Sequence, residues 1–455
     1  MSTIAAISTA TGNAGIGIIR LSGEKCFEIL DKIFIPKNKG EIKGYTIKYG
    51  NIVNSETKEI IDEVLVSYFI SPKSYTTENM CEINSHGGTV VENKILQECL
   101  KNGAILAEPG EFTKRAFING RIDLSQAEAV IDIINSKTEK EMKVAQRQLE
   151  GSLSRKIKEM QHEILEVMAD IEASIDYPEY DIEETTSAKI NNTLNKVEEK
   201  LLNLEKSFEN GKIIKEGIKT AIVGKPNVGK SSLLNLILGE NRAIVSNIEG
   251  TTRDTIEEYI NINGVPLKII DTAGIRNTKD EVEQIGVKRS LDITNNADLI
   301  IAVFDDSREF DEEDRKIVDL IKDKNAIILI NKIDLNKNLI KNNENIIKLK
   351  KCIIEFSTIN EEGLDKLYKK IEEMFKINEI NCDNSEIITN TRHKQYIMLA
   401  EEALKKARES VNNNMPLDIT AICLKEILED LSEITGENTT EEIINKIFSK
   451  FCLGK

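Results

Sequence analysis

One short run constrains this chain more than any other. Gly224-Lys225-Pro226-Asn227-Val228-Gly229-Lys230-Ser231 follows the apolar segment Lys219–Val223 and precedes Ser232–Leu238, which reads as a helix. Strand, glycine-rich loop and helix in that order satisfy the G-x-x-x-x-G-K-[ST] pattern in the context it requires. The glycines let backbone N–H groups turn inward on phosphates, and the helix N-terminus adds partial positive charge. Lys230 is placed to reach the β- and γ-oxygens and Ser231 to offer its hydroxyl to Mg²⁺, with Asn227, Val228, Gly229 and Ser232 lining the same loop.

Three further runs fit the same chemistry. Ile269-Ile270-Asp271-Thr272-Ala273-Gly274 is a strand ending in D-x-x-G, with Asp271 set to hold the metal through water and the Gly274 N–H near the γ-phosphate. Gly250-Thr251-Thr252-Arg253 supplies Thr252, a residue able to close over Mg²⁺ and γ-phosphate. The apolar run Ala326–Ile330 leads into Asn331-Lys332-Ile333-Asp334. There the Asp334 carboxylate can accept from both N1–H and N2–H₂ of guanine, a pair adenine cannot offer, so the expected nucleotide is GTP. Ser357-Thr358, after the strand Cys352–Phe356, falls where such a fold closes over the base. After D-x-x-G stands Ile275, which cannot orient water as the glutamine of Ras-type enzymes does. Asp280, Glu281 and Glu283 are the carboxylates that follow it.

The rest of the chain narrows the surroundings. With 61 Lys+Arg against 77 Asp+Glu the net charge is −16, which argues against a protein whose main work is clamping phosphate backbones. Apolar runs such as Leu299–Phe304 stop well short of the ~18 residues a membrane span needs. Met1–Ala10 has no secretory character, so a cytoplasmic protein with no membrane partner is expected. Seven scattered Cys and three His offer no zinc pattern and read as reduced thiols. Ser85-His86-Gly87-Gly88 lacks a nucleophile elbow, so His86 reads as a turn or packing residue. Gly12 to Gly17 has the wrong spacing for a dinucleotide loop.

Strand-like runs Thr3–Ala6, Gly17–Leu21, Glu63–Phe69 and Met80–Asn84 alternate with helix-like Lys25–Phe34 and Thr89–Asn102. They predict an N-terminal α/β domain over residues 1–119. Leu149, Leu153, Ile157, Met160, Ile164, Met168, Ile171 and Ile175 predict a long amphipathic helix ended by Tyr177-Pro178. A second stripe, Ile190, Leu194, Val197, Leu201 and Leu204, is expected to stop at Asn210-Gly211. Helical patterns return in Gln395–Val411, Asp418–Ile434 and Thr440–Phe448. The expected architecture is α/β multidomain: an all-α domain from residues 120–212 and 380–455, interrupted by a Ras-like P-loop domain with a mostly parallel sheet at 213–379.

The motif order, with Gly-Thr-Thr-Arg-Asp at 250–254 and Asp-Thr-Ala-Gly-Ile-Arg at 271–276, resembles the translation-associated GTPases of the Era and TrmE type. Gly15-Ile-Gly-Ile-Ile-Arg20, Ser85–Gly88, Pro109-Gly110-Glu111-Phe112-Thr113 and the tail Phe451-Cys452-Leu453-Gly454-Lys455 narrow the resemblance to the MnmE (TrmE) family over essentially the whole chain. Leu453 departs conservatively from that family's usual C-I-G-K tail.

The resemblance implies a GTPase that acts with the flavoprotein MnmG (GidA) to place an aminomethyl or carboxymethylaminomethyl group on C5 of the wobble uridine of certain tRNAs. The one-carbon unit would come from 5-formyl- or methylene-tetrahydrofolate, with FAD and NADH entering only through the partner. The matching folate residues are Arg20, Glu82, Arg121 and Lys455, and Cys452 is a possible thiol for the modification chemistry. The family's G domains dimerise and use K⁺, here implying Asn227, Ser246, Ile248 and Thr251 as ligands. Asn247, Glu249 and Gly250 complete the loop along the nucleotide; Mg²⁺ falls to Ser231 and Thr252, and the catalytic roles fall to Lys230, Thr252 and Glu283. A homodimer joined by MnmG into a heterotetramer is the implied assembly. The rival class, a GTP-dependent assembly switch of ribosome maturation, would call for a basic RNA-binding module after the G motifs, and the helical patterns there contain no such G-x-x-G loop.

Overall fold

The computed structural model describes residues 1–10, 12–38, 40–176, 183–241, 258–270, 294–335, 338–379 and 386–455. Two compact units emerge: residues 1–131 with 148–197 and 399–455, and residues 132–147 with 198–398.

The chain opens with β1 (Ile4–Ile7), β2 (Gly17–Ser22), α1 (Cys26–Ile33), β3 (Phe34–Pro36), β4 (Thr46–Val53), β5 (Ile60–Phe69), β6 (Met80–Ser85), α2 (Thr89–Lys101), β7 (Ile105–Leu106) and α3 (Glu111–Ile118). The sheet order is β3-β4-β5-β6-β2-β1-β7, with β1 and β7 parallel and the other pairs antiparallel. Ile29, Leu30 and Ile33 of α1 and Ile95 and Cys99 of α2 bury one sheet face with Ile19, Leu21, Val66 and Ile83. Sequence reading missed β3 and β4. In β4, Ile47 and Tyr49 are 65% and 46% exposed, so its apolar residues do not all mark the buried face that periodicity detects.

Next come α4 (Leu124–Asn135), α5 (Glu139–Leu149), α6 (Ser152–Asp176) and α7 (Glu183–Glu216). Three expectations need correction. Leu149 ends α5 instead of opening the long helix, because Gly151 adopts φ 80, a left-handed conformation that breaks the run. Along α6 the buried apolar positions are Leu153, Ile157, Met160, Ile164, Val167 and Ile171, an alternation of four and three that Ser174 continues, with Ser154 and Gln161 buried beside them; Met168 and Ile175 fall off the seam, and Ile175 is 44% exposed. That is the strict heptad period. Finally, α7 continues through Asn210-Gly211 to Glu216. Gly211 is no stop signal: a Cβ there would lie 2.0 Å from the Ile388 carbonyl oxygen, so the residue permits a close backbone approach.

The second unit holds β8 (Ile218–Val223), α8 (Lys230–Asn241), β9 (Glu258–Ile262), β10 (Val265–Ile269), β11 (Leu299–Asp305), α9 (Glu312–Ile321), β12 (Ala326–Asn331), α10 (Glu344–Ile347), β13 (Cys352–Glu355) and α11 (Leu364–Met374). Its sheet, β13-β12-β11-β8-β10-β9, is parallel except for the β9–β10 pair. Every residue of β11 and β12 is buried, which is why both read as unbroken apolar runs. In such sheets ligands bind beyond the carboxyl ends of the strands, here Val223, Asp305 and Asn331.

The last helices are α12 (Thr391–Asn412), α13 (Leu417–Thr435) and α14 (Glu441–Phe448). In the first unit α13 packs along α6, where Gln161 Nε2 donates to Ser432 Oγ at 2.9 Å. Among the described residues no helix is long and apolar enough to cross a membrane.

Candidate functional site

The loop between β8 and α8 is shaped by backbone that only certain residues tolerate. Gly229 sits at φ 105, and a Cβ on it would come within 2.2 Å of Asn331 Nδ2. Asn227 is held at φ 63, exposed, and its side-chain amide makes no hydrogen bond among the described residues. An amide oxygen so presented suits a hard cation. Lys230 opens α8 and donates to the Gly224 and Lys225 carbonyls, both at 2.7 Å; burial holds its ammonium below the usual lysine range. Ser231 and Ser232 follow on the first turn of the helix.

The Asn331-Lys332-Ile333-Asp334 run, expected to read the base, is built from the end of β12. Asn331 is fully buried: its Nδ2 donates to the Val228 carbonyl at 2.8 Å and its Oδ1 accepts from the Thr358 N–H at 3.2 Å. One side chain thus ties the phosphate loop to the segment after β13. Lys332 Nζ donates to the Asn227 carbonyl at 2.9 Å and to Asp305 Oδ2 at 2.6 Å. Asp334 Oδ1 accepts from Ser357 Oγ at 2.8 Å, and Ser357 Oγ in turn accepts from the Asn360 N–H. Asn227, Val228, Gly229, Lys230, Asn331, Lys332, Asp334, Ser357 and Thr358 therefore belong to one connected arrangement.

Sequence reasoning did not single out the acids beneath this loop. Lys225 donates to Asp311 Oδ2 at 2.8 Å and Asp314 Oδ2 at 2.7 Å, and Asp314 is fully buried. Burial pushes the Lys225 ammonium down, but its bonds to the two carboxylates outweigh this and leave it above the usual value. Asp311 also caps α9 in a capping box with Asp314. Asp305 carried a faint signal, as the acid that ends an otherwise apolar strand. The expected residues Ser246, Asn247, Ile248, Glu249, Gly250, Thr251, Thr252, Asp271, Thr272, Ala273, Gly274 and Glu283 lie outside the described residues, as do Ile275, Asp280 and Glu281.

A second cluster forms in the first unit. Arg20 and Glu82 face each other across β2 and β6, with Nε donating to Oε1 at 2.9 Å and Nη2 within 2.8 Å. Arg20 Nη1 also donates to the Gly454 carbonyl at 3.1 Å, as does Ser8 Oγ. The tail is seated by backbone bonds from Gly110 N–H to Cys452 O and from Phe112 N–H to Lys455 O, with the tilted ring pair Phe448 and Phe451 beside it. Gly454 is required there: at φ 85, a Cβ would meet Ile7 O at 2.4 Å. The Tyr75 ring meets two guanidiniums, Arg121 at 4.5 Å and Arg20 at 5.6 Å from its centroid. Arg20, Glu82, Arg121 and the backbone of Lys455 thus gather at one place, while Cys452 is exposed at its edge. His86 is 73% exposed and pairs with Asp62 at 2.7 Å, which raises its pKa; it is a turn residue and not a packing one.

A phosphate loop bolted to an Asn-Lys-x-Asp run at the carboxyl edge of a mostly parallel sheet makes this chain a P-loop GTPase. The comparisons carry the assignment further. The family model described as "MnmE helical domain" matches residues 124–452, and that of the "GTP-binding protein TrmE N-terminus" matches residues 3–121. A protein named "tRNA modification GTPase MnmE" from Acetivibrio thermocellus is 52% identical over 455 residues, 100% of this chain and 99% of its own length. Its namesake from Clostridioides difficile strain 630 is 49% identical over 458 residues, again 100% and 99%. Among solved structures, the G domain of the T. maritima FeoB iron transporter is 27% identical, covering 34% of this chain and 97% of its own, with a TM-score of 0.26. The chain belongs to the MnmE family.

Proposed function

We propose that this GTPase uses its hydrolysis cycle to drive modification of tRNA, working with the flavoprotein MnmG to place a carboxymethylaminomethyl or aminomethyl group on C5 of the wobble uridine. The observation that carries the reading is similarity over the full chain to relatives named for tRNA modification. The cluster at Arg20 supports the one-carbon side of it. Arg20 and Arg121 supply cations suited to the glutamyl carboxylates of a folate, and Glu82 can accept from the donor edge of a pterin. Tetrahydrofolate would contribute the one-carbon unit; the chain's part is to grip and orient it.

At the nucleotide, Lys230 would leave the loop carbonyls for the phosphate oxygens. Ser231 and Thr252 would hold Mg²⁺, and Asn227 with Ser246, Ile248 and Thr251 would hold K⁺, a cation that offsets charge developing on the phosphates. The exposed amide of Asn227, which makes no hydrogen bond among the described residues, fits that role. Glu283 would orient water, taking the place of the residue Ile275 cannot be. A homodimer is supported by an apolar face on β3–β5, where Ile35, Ile47, Tyr49 and Leu65 are 46–65% exposed side by side.

The test is the initial GTPase rate in KCl against NaCl at equal ionic strength, with nucleoside mass spectrometry of tRNA from cells lacking the gene. A K⁺-specific stimulation abolished by Asn227→Ala, and loss of the modified wobble uridine, are expected. Equal rates in both salts would remove the cation mechanism, and unaltered tRNA would remove the modification reading.

A further inference from the structure

Lys332 belongs to the base-reading run, yet neither of its two side-chain hydrogen bonds among the described residues is to that run. One reaches the Asn227 carbonyl in the phosphate loop and the other reaches Asp305. Asp305 is the last residue of β11, in register with Asn331 across the sheet, and its side chain is 1% exposed. Its Oδ1 accepts from the Ser307 N–H at 3.0 Å and the Ser307 hydroxyl at 2.6 Å, and Arg308 Nε lies 3.4 Å from Oδ2. The turn after β11 has therefore fixed this carboxylate in place. Burial alone would raise its pKa, but the bonds from Lys332 and Ser307 prevail and keep it below the ordinary aspartate value, so it is charged at neutral pH.

Lys332 and Asn227, the two ends of the bond to the phosphate loop, are both conformationally costly. Lys332 has φ 65 and Asn227 has φ 63, left-handed backbone that side chains other than glycine adopt only when their surroundings impose it. A lysine stem is also flexible, and ordering it only when nucleotide arrives would weaken binding. Anchoring its ammonium on a buried, preset carboxylate removes that cost beforehand.

We propose that Asp305 is a positioning residue for guanine-nucleotide binding, holding Lys332 so that the base-reading run and the Asn227 stretch of the phosphate loop are set by one buried carboxylate. Asp305 touches neither base nor phosphate in this scheme and acts only through Lys332.

The test uses the full chain. Asp305→Asn should weaken GDP and GTP alike, by about tenfold, the scale of one charge-assisted hydrogen bond, while kcat at saturating GTP stays within about twofold. Placed on a Lys332→Met background, the same change should add less than about twofold, because the group it positions is gone. Unchanged affinities, a fall in kcat alone, or an equal loss in both backgrounds would overturn the proposal. Equal losses would mean that Asp305 merely stabilises its own turn. If Asp305→Asn does not fold, Ser307→Ala removes a single donor to Oδ1. It should cost about threefold in affinity on the native background and nothing on Lys332→Met; any other pattern refutes the idea.

Discussion

Replacing Gly211 by alanine sets two effects of opposite sign against each other, and the structure decides between them. Gly211 lies inside α7, where alanine is worth about 1 kcal/mol more than glycine in helix propensity. Against this, the new Cβ would stand 2.0 Å from the Ile388 carbonyl oxygen and 2.8 Å from its carbon. Both are backbone atoms, so no side-chain rotation relieves the clash. The strand of chain at Ile388 must retreat, straining the bond from its N–H to Ser207 Oγ and lifting a side chain that is 1% exposed. Overpacking of this kind costs about 1–3 kcal/mol, a lost hydrogen bond about 1, and partial exposure of an isoleucine about 1 more. The net loss is about 3 kcal/mol. Calorimetry with and without GDP picks out the transition of the unit that carries the nucleotide site, because ligand shifts that transition upward. Gly211→Ala should lower it by about 6–12 °C. Gly239→Ala, in α8 with no described atom within 4 Å of the new Cβ, should instead raise it by about 2–4 °C. A Gly211→Ala protein as stable as the parent would refute the argument from close approach.

Two further predictions concern other parts of the molecule. Burial lifts the Glu141 carboxyl to about 7 from 4.5, although the Lys137 N–H bonded to it opposes the shift. The folded form therefore binds the proton more tightly, so stability is lost as pH rises from 4.5 through 7, at about 1.4 kcal/mol per unit before solvent screening. Taking the GDP-sensitive transition from pH 5 to pH 8 should cost the parent about 2 kcal/mol more than Glu141→Gln, and parallel pH profiles would contradict this. In the first unit, Gly454→Ala puts a Cβ 2.4 Å from Ile7 O and unseats the carbonyl that Arg20 holds. Calorimetric titration with 5-formyl-tetrahydrofolate should then show at least about tenfold weaker binding with the KM for GTP unchanged, and unaltered folate affinity would remove the tail from that site.

Features written in contiguous residues were the legible ones. The phosphate loop and Asn331-Lys332-Ile333-Asp334 declare themselves because their chemistry is local, and β11 and β12 because a strand buried on both faces is apolar throughout. Where meaning depended on a distant partner, local reading failed. Gly211 resembles a helix stop until Ile388 is placed against it. Lys225 is one more loop lysine until Asp311 and Asp314, 86 and 89 positions later, close on it. Met168 looks as apolar as Val167, and only the packing around α6, where α13 lies, shows that Val167 is the one buried. Arg20 and Glu82 were singled out together by resemblance, and they do pair across the sheet, but Tyr75 and the Gly454 carbonyl, which complete their surroundings, carried no signal of their own.

The bond from Arg20 to the Gly454 carbonyl spans 434 positions of sequence. A ribosome adding about 5–20 residues per second needs roughly 20–90 s to cover that distance. The first sheet can form early from neighbouring strands, and every residue of the nucleotide loop is made long before the tail appears. An unfinished or clipped chain can thus own a whole nucleotide loop while the cluster around Arg20 still lacks its last members. Seating Gly454 against Ile7 and Arg20 therefore makes the packing around Arg20 one of the last contacts of the first unit to form, however early its sheet is assembled.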